Sequence, residues 1–155
     1  MEDPIERALC ELGLEWPEPP RPVASYAPAV RSGNLVFVSG QLPFRRGEIA
    51  ERGRVPSEVS VDRARAAAAQ CALNALAVVR AELGGDLSRL VRIVRVGVFV
   101  QSEPGFSEGS SVANGASDLL VRLLGERGRH ARAAVGASAL PLGSPVEVEL
   151  VAEVR

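Results

Sequence analysis

Every one of the 18 basic residues in this chain is arginine. A lysine Schiff base and a phosphate-loop lysine are therefore excluded by composition. The arginine whose setting points most clearly to chemistry is Arg132, in Gly128-Arg129-His130-Ala131-Arg132-Ala133-Ala134-Val135. It opens a strand-like run and precedes a second one, from Pro145, that carries carboxylates on alternate positions. A guanidinium held on a strand is a rigid two-pronged donor that matches a carboxylate. The plainer alternative is a cross-strand ion pair with Glu147 or Glu149. A single histidine, His130, does not build a metal site or a catalytic triad. Neither a Walker nor a dinucleotide-binding glycine pattern is present. What remains for chemistry is Arg, Asp, Glu, hydroxyls and backbone.

The elements that would position these groups can be read along the chain. Asp3-Pro4 is a helix-start signal, and Ile5, Leu9 and Leu12 follow at helical spacing. Trp16 to Pro22 carries four prolines in seven residues, which rules out regular structure. Residues 1–22 are thus expected to be a short helix with a proline-rich linker, and residues 23–155 the main domain. Val23 to Val30 and Leu35 to Ser39 read as strands joined by a hairpin turn over Arg31-Ser32-Gly33-Asn34. Phe44 to Val59 lacks a period and is expected to be a mobile loop or irregular hairpin.

Ser60 is placed to cap a long helix reaching about Leu83, with Val61, Ala64, Ala68, Cys71, Ala75 and Val79 on one stripe and Gly84-Gly85 ending it. Val91 to Val100 reads as a central strand buried on both faces, although Arg92 and Arg95 fall on opposite sides of it. Ser110 or Ser111 should open a second helix with Val112, Ala116, Leu119, Leu120 and Leu123 inward, closed by Gly125 and Gly128. Arg132 to Ser138 and Pro145 to Val154 complete the strands. In the last, Val146, Val148, Leu150, Ala152 and Val154 point one way, and Glu147, Glu149, Val151 and Glu153 the other. The order, helix then ββαβαββ, predicts an α+β fold with a mixed sheet and both main helices on one face. The other face combines charge with apolar groups, and a symmetric oligomer burying it is expected.

At 155 residues with a formal charge of −1 and 4% aromatics, the chain suits one domain and lacks the basic, ring-rich surface of a nucleic-acid binder. Cys10 and Cys71 are far apart in apolar surroundings and are expected to be buried free thiols, packing groups of a protein in a reducing cytoplasm. The first four residues are not those of a signal peptide, and no run reaches the ~18 apolar residues of a membrane span. A cytoplasmic location is expected.

Tyr26, the block Gly33-Asn34-Leu35-Val36-Phe37-Val38-Ser39-Gly40-Gln41-Leu42-Pro43, Val112-Ala113-Asn114, Ala131-Arg132 and Val146-Glu147-Val148-Glu149 together resemble the RidA/YjgF imine deaminase family over roughly Val23 to Val154. The resemblance implies a chorismate mutase-like fold and a homotrimer whose sheets form a central barrel, with active sites between neighbours. It also implies hydrolysis of 2-imino acids to 2-keto acids and ammonia without metal or cofactor. By the same resemblance Arg132 anchors the substrate carboxylate and Glu147 orients the attacking water. Ser39 and Gly40 frame the site, Tyr26 forms part of its wall, and Asn114 matches a helix-start asparagine. Such chemistry needs mostly orientation and general-base help, because an iminium carbon is already electrophilic.

The chain departs from the family pattern at His130, where many members carry proline, at Ala134, where they carry cysteine, and at Pro28, where they carry glutamine. The loop before Asn114 is longer and the N-terminal helix is additional, so the resemblance is to a side branch. A non-catalytic small-carboxylate binder or regulator stays open as a second function. Endoribonuclease activity, attributed to some relatives, is disfavoured by the charge balance and the single histidine. For individual residues the structural alternatives are a packed ring for Tyr26, a strand-end turn for Ser39 and Gly40, a half-exposed strand position for Glu147 and a solvent-facing loop for His130.

Overall fold

The computed structural model describes residues 3–21 and 25–155. The expected start of the first strand at Val23, the boundary at 22/23 and the N-terminal Met1-Glu2 lie outside these. The elements are α1 (Pro4–Glu11), β1 (Ala29–Ser32), β2 (Leu35–Gln41), β3 (Phe44–Arg45), β4 (Glu48–Ile49), α2 (Val61–Glu82), β5 (Leu90–Gln101), α3 (Gly109–Leu124), β6 (Ala131–Ala137) and β7 (Val146–Val154). Five strands form one sheet in the order β1-β2-β7-β5-β6, and β3 and β4 form a separate hairpin. β5 and β6 run parallel while the other neighbours in the large sheet are antiparallel. This is the expected ββαβαββ mixed sheet with the small hairpin inserted.

Local signals set the ends of these elements. The Asp3 carboxylate accepts from Ile5 N at 2.9 Å and Ser60 Oγ accepts from Arg63 N at 3.2 Å, each satisfying a backbone donor that a helix start leaves free. The β1–β2 hairpin turns on two residues, with Ser32 facing Leu35 and Gly33 at φ +60°, a conformation that glycine adopts without strain. β1 begins later than expected, at Ala29. At α3 neither Ser110 nor Ser111 caps. The helix starts at Gly109 after Glu108 without a side-chain cap, and the Ser111 carbonyl instead accepts from Arg65 Nε of α2 at 2.9 Å.

α2 and α3 pack together on one sheet face. Ala64, Ala68, Cys71, Ala75 and Val79 of the predicted α2 stripe are buried, as are Val112, Ala116, Leu119, Leu120 and Leu123 of α3 and Val146, Val148, Leu150, Ala152 and Val154 of β7. Small residues let the helices approach closely. A Cβ on Gly115 would overlap the Arg65 carbonyl oxygen. α1 adds Ile5 and Leu9 to the same core. The linker returns along α2, where Trp16 Nε1 donates to Glu6 at 2.8 Å and the Arg80 guanidinium sits 5.2 Å from the indole centroid, a favourable cation–π arrangement.

β5 lies inside the sheet, but the helices cover only one of its faces. Val91 and Val94 are exposed, which corrects the expectation of a strand buried on both sides. The register shifts twice, between Leu90 and Arg92 and between Ile93 and Arg95. These bulges re-aim the residues that follow. Arg92 then pairs with Glu153 and Arg95 with Val151, so both arginines reach the outer face rather than opposite faces. That face also exposes Val30, Phe37 and Val135.

The stretch expected to be a mobile loop or irregular hairpin is the β3–β4 hairpin followed by a pinned segment. Buried Asn74 of α2 donates to the carbonyls of Leu42 and Phe44, both at 2.9 Å, and Val55 bonds the backbone of Gln101 and Glu103. The thiol expectation holds for Cys71, which is buried, and fails for Cys10, which is exposed. Cys10 lies on α1 away from the Ile5–Leu9 stripe that meets the core.

Candidate functional site

Arg132 lies on β6 opposite Val96, whose own partner on β7 is Leu150. Both partners are buried beneath the helices, so Arg132 rises from the helix side at the sheet's edge and meets α3. Its Nη1 donates to Asn114 Oδ1 at 2.8 Å and to Ser117 Oγ at 3.1 Å. Two acceptors use both hydrogens of Nη1. The side-on pair, Nε–H and Nη2–H, has no hydrogen-bond partner among the described residues and belongs to an exposed residue; such a pair can take a carboxylate in two parallel hydrogen bonds. Asn114 and Ser117 are three apart on one helix and therefore share a face. Arg132 is not the cross-strand ion-pair partner of Glu147 or Glu149. Among the described residues, it is Arg95 that pairs with Glu149, at 3.6 Å.

Glu147 stands opposite Phe99 on β7, on the outer face. It is half-buried, and that burial, reinforced by the neighbouring charge of Glu149, raises its carboxyl above the usual glutamate range. It lies against Gly40, where a Cβ would overlap Glu147 Oε1. Gly40 belongs to a bulge between Val38 and Gln41. This bulge keeps Val38 and Gln41 buried while opening backbone beside the carboxylate. Ser39 is tied to the segment just ahead of β1, its Oγ donating to Ala27 O at 2.7 Å and its N to Pro28 O at 2.9 Å. Tyr26, next to Ala27, is 58% exposed, which excludes a packed ring within one chain.

The predicted residues thus fall into two groups. Arg132 and Asn114 lie together on the helix side of the β6 edge. Glu147 and Gly40, with Ser39 and Tyr26 alongside, lie on the other side of β5 and about the outer face. A single chain does not bring the two groups together. A concavity of about 680 Å³ does not resolve the division, because it lies between the linker and the β3–β4 hairpin, lined by Trp16, Phe44, Gln70 and Asn74.

Two further polar residues touch the arginine group. His130 is half-buried rather than solvent-facing. Its Nδ1 is 2.6 Å from Gly128 O and its Nε2 is 2.9 Å from Ser117 Oγ. The sequence carried a signal for both, since His130 precedes Arg132 by two positions, as same-face strand residues do, and Ser117 follows Asn114 by three. Among the described residues, no group of three or more His, Cys, Asp or Glu is arranged to hold a metal ion. No helix among them is long and apolar enough to cross a membrane.

The five-stranded mixed sheet with two helices on one face is the chorismate mutase-like α+β architecture. Residues 6–154 match the family described as "YjgF/chorismate mutase-like, putative endoribonuclease", and the chain belongs to this YjgF/RidA family. Protein TCP17 of Trypanosoma cruzi is 44% identical over 95% of this chain and 92% of its own length. The crystal structure of Atu1372 from Agrobacterium tumefaciens, a protein of unknown function, is 47% identical, covers 98% of this chain and 93% of its own, and has a TM-score of 0.93. RidA from the Antarctic bacterium Psychrobacter is more distant, 30% identical over 88% of this chain and 94% of its own, with a TM-score of 0.57. The chain therefore stands with TCP17 and Atu1372 in a divergent branch.

Proposed function

We propose that this protein hydrolyses reactive 2-imino acids to 2-keto acids and ammonia, at sites formed where two copies meet in a homotrimer. The observation that carries this reading is the open side-on edge of Arg132, with the opposite edge held by Asn114 and Ser117. The apolar outer face, with Phe37 and Val135 each nearly half exposed, supports the assembly. The separation of Arg132 from Glu147 within one chain supports a site shared between chains.

In such a site the substrate carboxylate lies on Nε and Nη2 of Arg132, and a water lies on Glu147 of the adjoining copy. The water oxygen bonds to the iminium carbon while the C=N π electrons return to nitrogen, and Glu147 takes the water's proton. Glu147 passes that proton to the amine nitrogen and takes the hydroxyl proton as the C–N bond breaks and the C=O bond forms, releasing ammonia and the keto acid, and then returns the proton to solvent. Gly40 leaves room for the carboxylate to stand close to the backbone. Tyr26 and Ser39 supply the wall. A carboxyl raised by burial is a stronger base than an exposed glutamate, and this suits the role.

The test is imine disappearance coupled to a pyridoxal-dependent dehydratase. Loss of Glu147 should lower kcat about 100-fold or more. Wild-type activity should fall as pH drops through the raised Glu147 value, above the ordinary glutamate range, because only the ionised form accepts a proton. Glu147→Gln should lose this acid limb. The sign for stability is opposite. A carboxyl raised in the folded state costs stability once it ionises, so Glu147→Gln should leave the melting temperature at neutral pH unchanged or higher, as measured by calorimetry. If the wild type accelerates the hydrolysis of no amino-acid-derived imine, the reading is wrong. Saturable binding of a keto acid without turnover would then assign the clamp to a carboxylate-binding regulator.

A further inference from the structure

No chemical step of the reaction described above falls to His130 or Ser117, yet Ser117 contacts its anchor, Arg132, and His130 contacts Ser117. The hydrogen bonds have a direction. His130 Nδ1 faces a carbonyl, Gly128 O at 2.6 Å, and so must carry the ring proton. Nε2 is then an acceptor, the Ser117 hydroxyl donates to it at 2.9 Å, and the Ser117 lone pairs face Arg132 Nη1 at 3.1 Å. The chain of donors and acceptors runs without a break from the Gly128 carbonyl to the guanidinium.

We propose that His130 and Ser117 are positioning residues for Arg132. They hold its Nη1 edge so that only the Nε/Nη2 edge meets a ligand, and they couple carboxylate binding on Arg132 to proton binding on His130. The coupling follows from the same contacts. Protonated Nε2 can no longer accept from Ser117, and an imidazolium would stand one hydroxyl away from a guanidinium. A carboxylate on the open edge offsets the guanidinium charge and makes that protonation easier. By linkage the carboxylate then binds more tightly where His130 is protonated. Burial and the Arg132 charge, in that order, hold the free His130 below its ordinary value, against the opposing effect of the Gly128 hydrogen bond.

The other charged residues near His130 and Ser117 in the chain or the fold do not bond the imidazole. Arg129 lies 3.7 Å from Glu126, Arg127 donates to Leu90 O and Arg92 to Arg129 O. Asp118 on α3 is exposed. The proposal rests on Arg132 being the carboxylate anchor, as in the proposed function, but not on turnover.

His130 is the sole histidine in the chain, so nuclear magnetic resonance of its ring in the full-length protein is unambiguous. Three results are expected. The neutral ring should show the Nδ1-protonated tautomer by its nitrogen shifts. Arg132→Gln should raise the His130 titration midpoint. Saturating 2-oxobutanoate should raise it in the wild type by about half a unit, equivalent to about threefold tighter binding on the acid side. In calorimetry this acid-side gain should vanish in His130→Gln while binding itself survives. Ser117→Ala should weaken binding at all pH values and reduce the coupling to the direct charge interaction between His130 and Arg132.

An Nε2-protonated tautomer, or a His130 midpoint that ignores Arg132→Gln, overturns the proposal. So does a midpoint that ignores a ligand shown to bind. If 2-oxobutanoate does not bind at all, the anchor reading of Arg132 fails instead, and the tautomer and the Arg132→Gln shift still judge the chain of hydrogen bonds by themselves.

Discussion

Arg132→Ala should lower kcat/KM for imine hydrolysis by roughly 100- to 10,000-fold while leaving the fold and assembly intact. A carboxylate on the Nε/Nη2 edge gains two hydrogen bonds to a charged group, each worth about 1.5–3 kcal/mol, and about 1.4 kcal/mol corresponds to tenfold in rate. Little stability is at stake, because Arg132 is exposed and the groups it releases are the exposed Asn114 and the hydroxyl of Ser117. Arg132→Lys keeps the charge but loses the planar fork, so it should recover only a small part of the loss.

The same variant also tests whether the site is shared. Mixed with Glu147→Gln under conditions that exchange subunits, it should restore activity to about a quarter of wild type. In random rings about one interface in four pairs an intact Arg132 with an intact Glu147 of the next copy. No recovery in demonstrably mixed oligomers would place both residues' effects within one chain and sink the inter-subunit arrangement. Sedimentation before and after mixing establishes the assembly.

Gly115→Ala should destabilise the protein by about 3 kcal/mol, lowering the melting temperature on the order of 10 °C. An added methyl on α3 would overlap the Arg65 carbonyl of α2, and backbone yields less readily than the end of a side chain. Exchanging glycine for alanine inside a helix is ordinarily worth up to about 1 kcal/mol in the stabilising direction, so the packing conflict must exceed that gain. Gly109, at the start of the same helix with no atom within 4 Å of its virtual Cβ, is the control. Gly109→Ala should be neutral or slightly stabilising by thermal unfolding. Because α3 carries Asn114 and Ser117 on either side of Gly115, the destabilised variant should also bind a keto acid less tightly. A stability effect like that of Gly109→Ala would show that α2 and α3 are not held at the distance described.

Patterns that repeat along the chain carried much of this architecture. The alternation from Val146 to Val154, the stripe from Ala64 to Val79 and the Ser60 and Asp3 caps each depend on residues within a turn or two of one another. Spacing alone therefore exposes them. The Gly33-to-Pro43 block and Ala131-Arg132 likewise marked the family directly. Features that depend on register were hidden. Nothing local announces the two bulges of β5, which move Arg92 and Arg95 to the same face, because a bulge is a mismatch between two strands. The covering of only one face of β5 was hidden too, since a run of Val and Ile looks the same beneath helices as it does on a face left open by a single chain.

Arg132 as a clamp and Glu147 as its carboxylate counterpart were nameable from residue types and order. Their placement on opposite sides of the sheet was not, because it follows from β6 pairing with β5 through Val96 and from Glu147 standing opposite Phe99. The free edge of the guanidinium was equally out of reach. It exists because α3 lies across the β6 edge and brings Asn114 and Ser117 onto Nη1. That approach is set by the Gly115 contact with α2, far from Arg132 in the chain. Composition and periodicity determine which groups are available and which face of an element they occupy. Which of their hydrogens remain free for a ligand is a property of packing between distant segments.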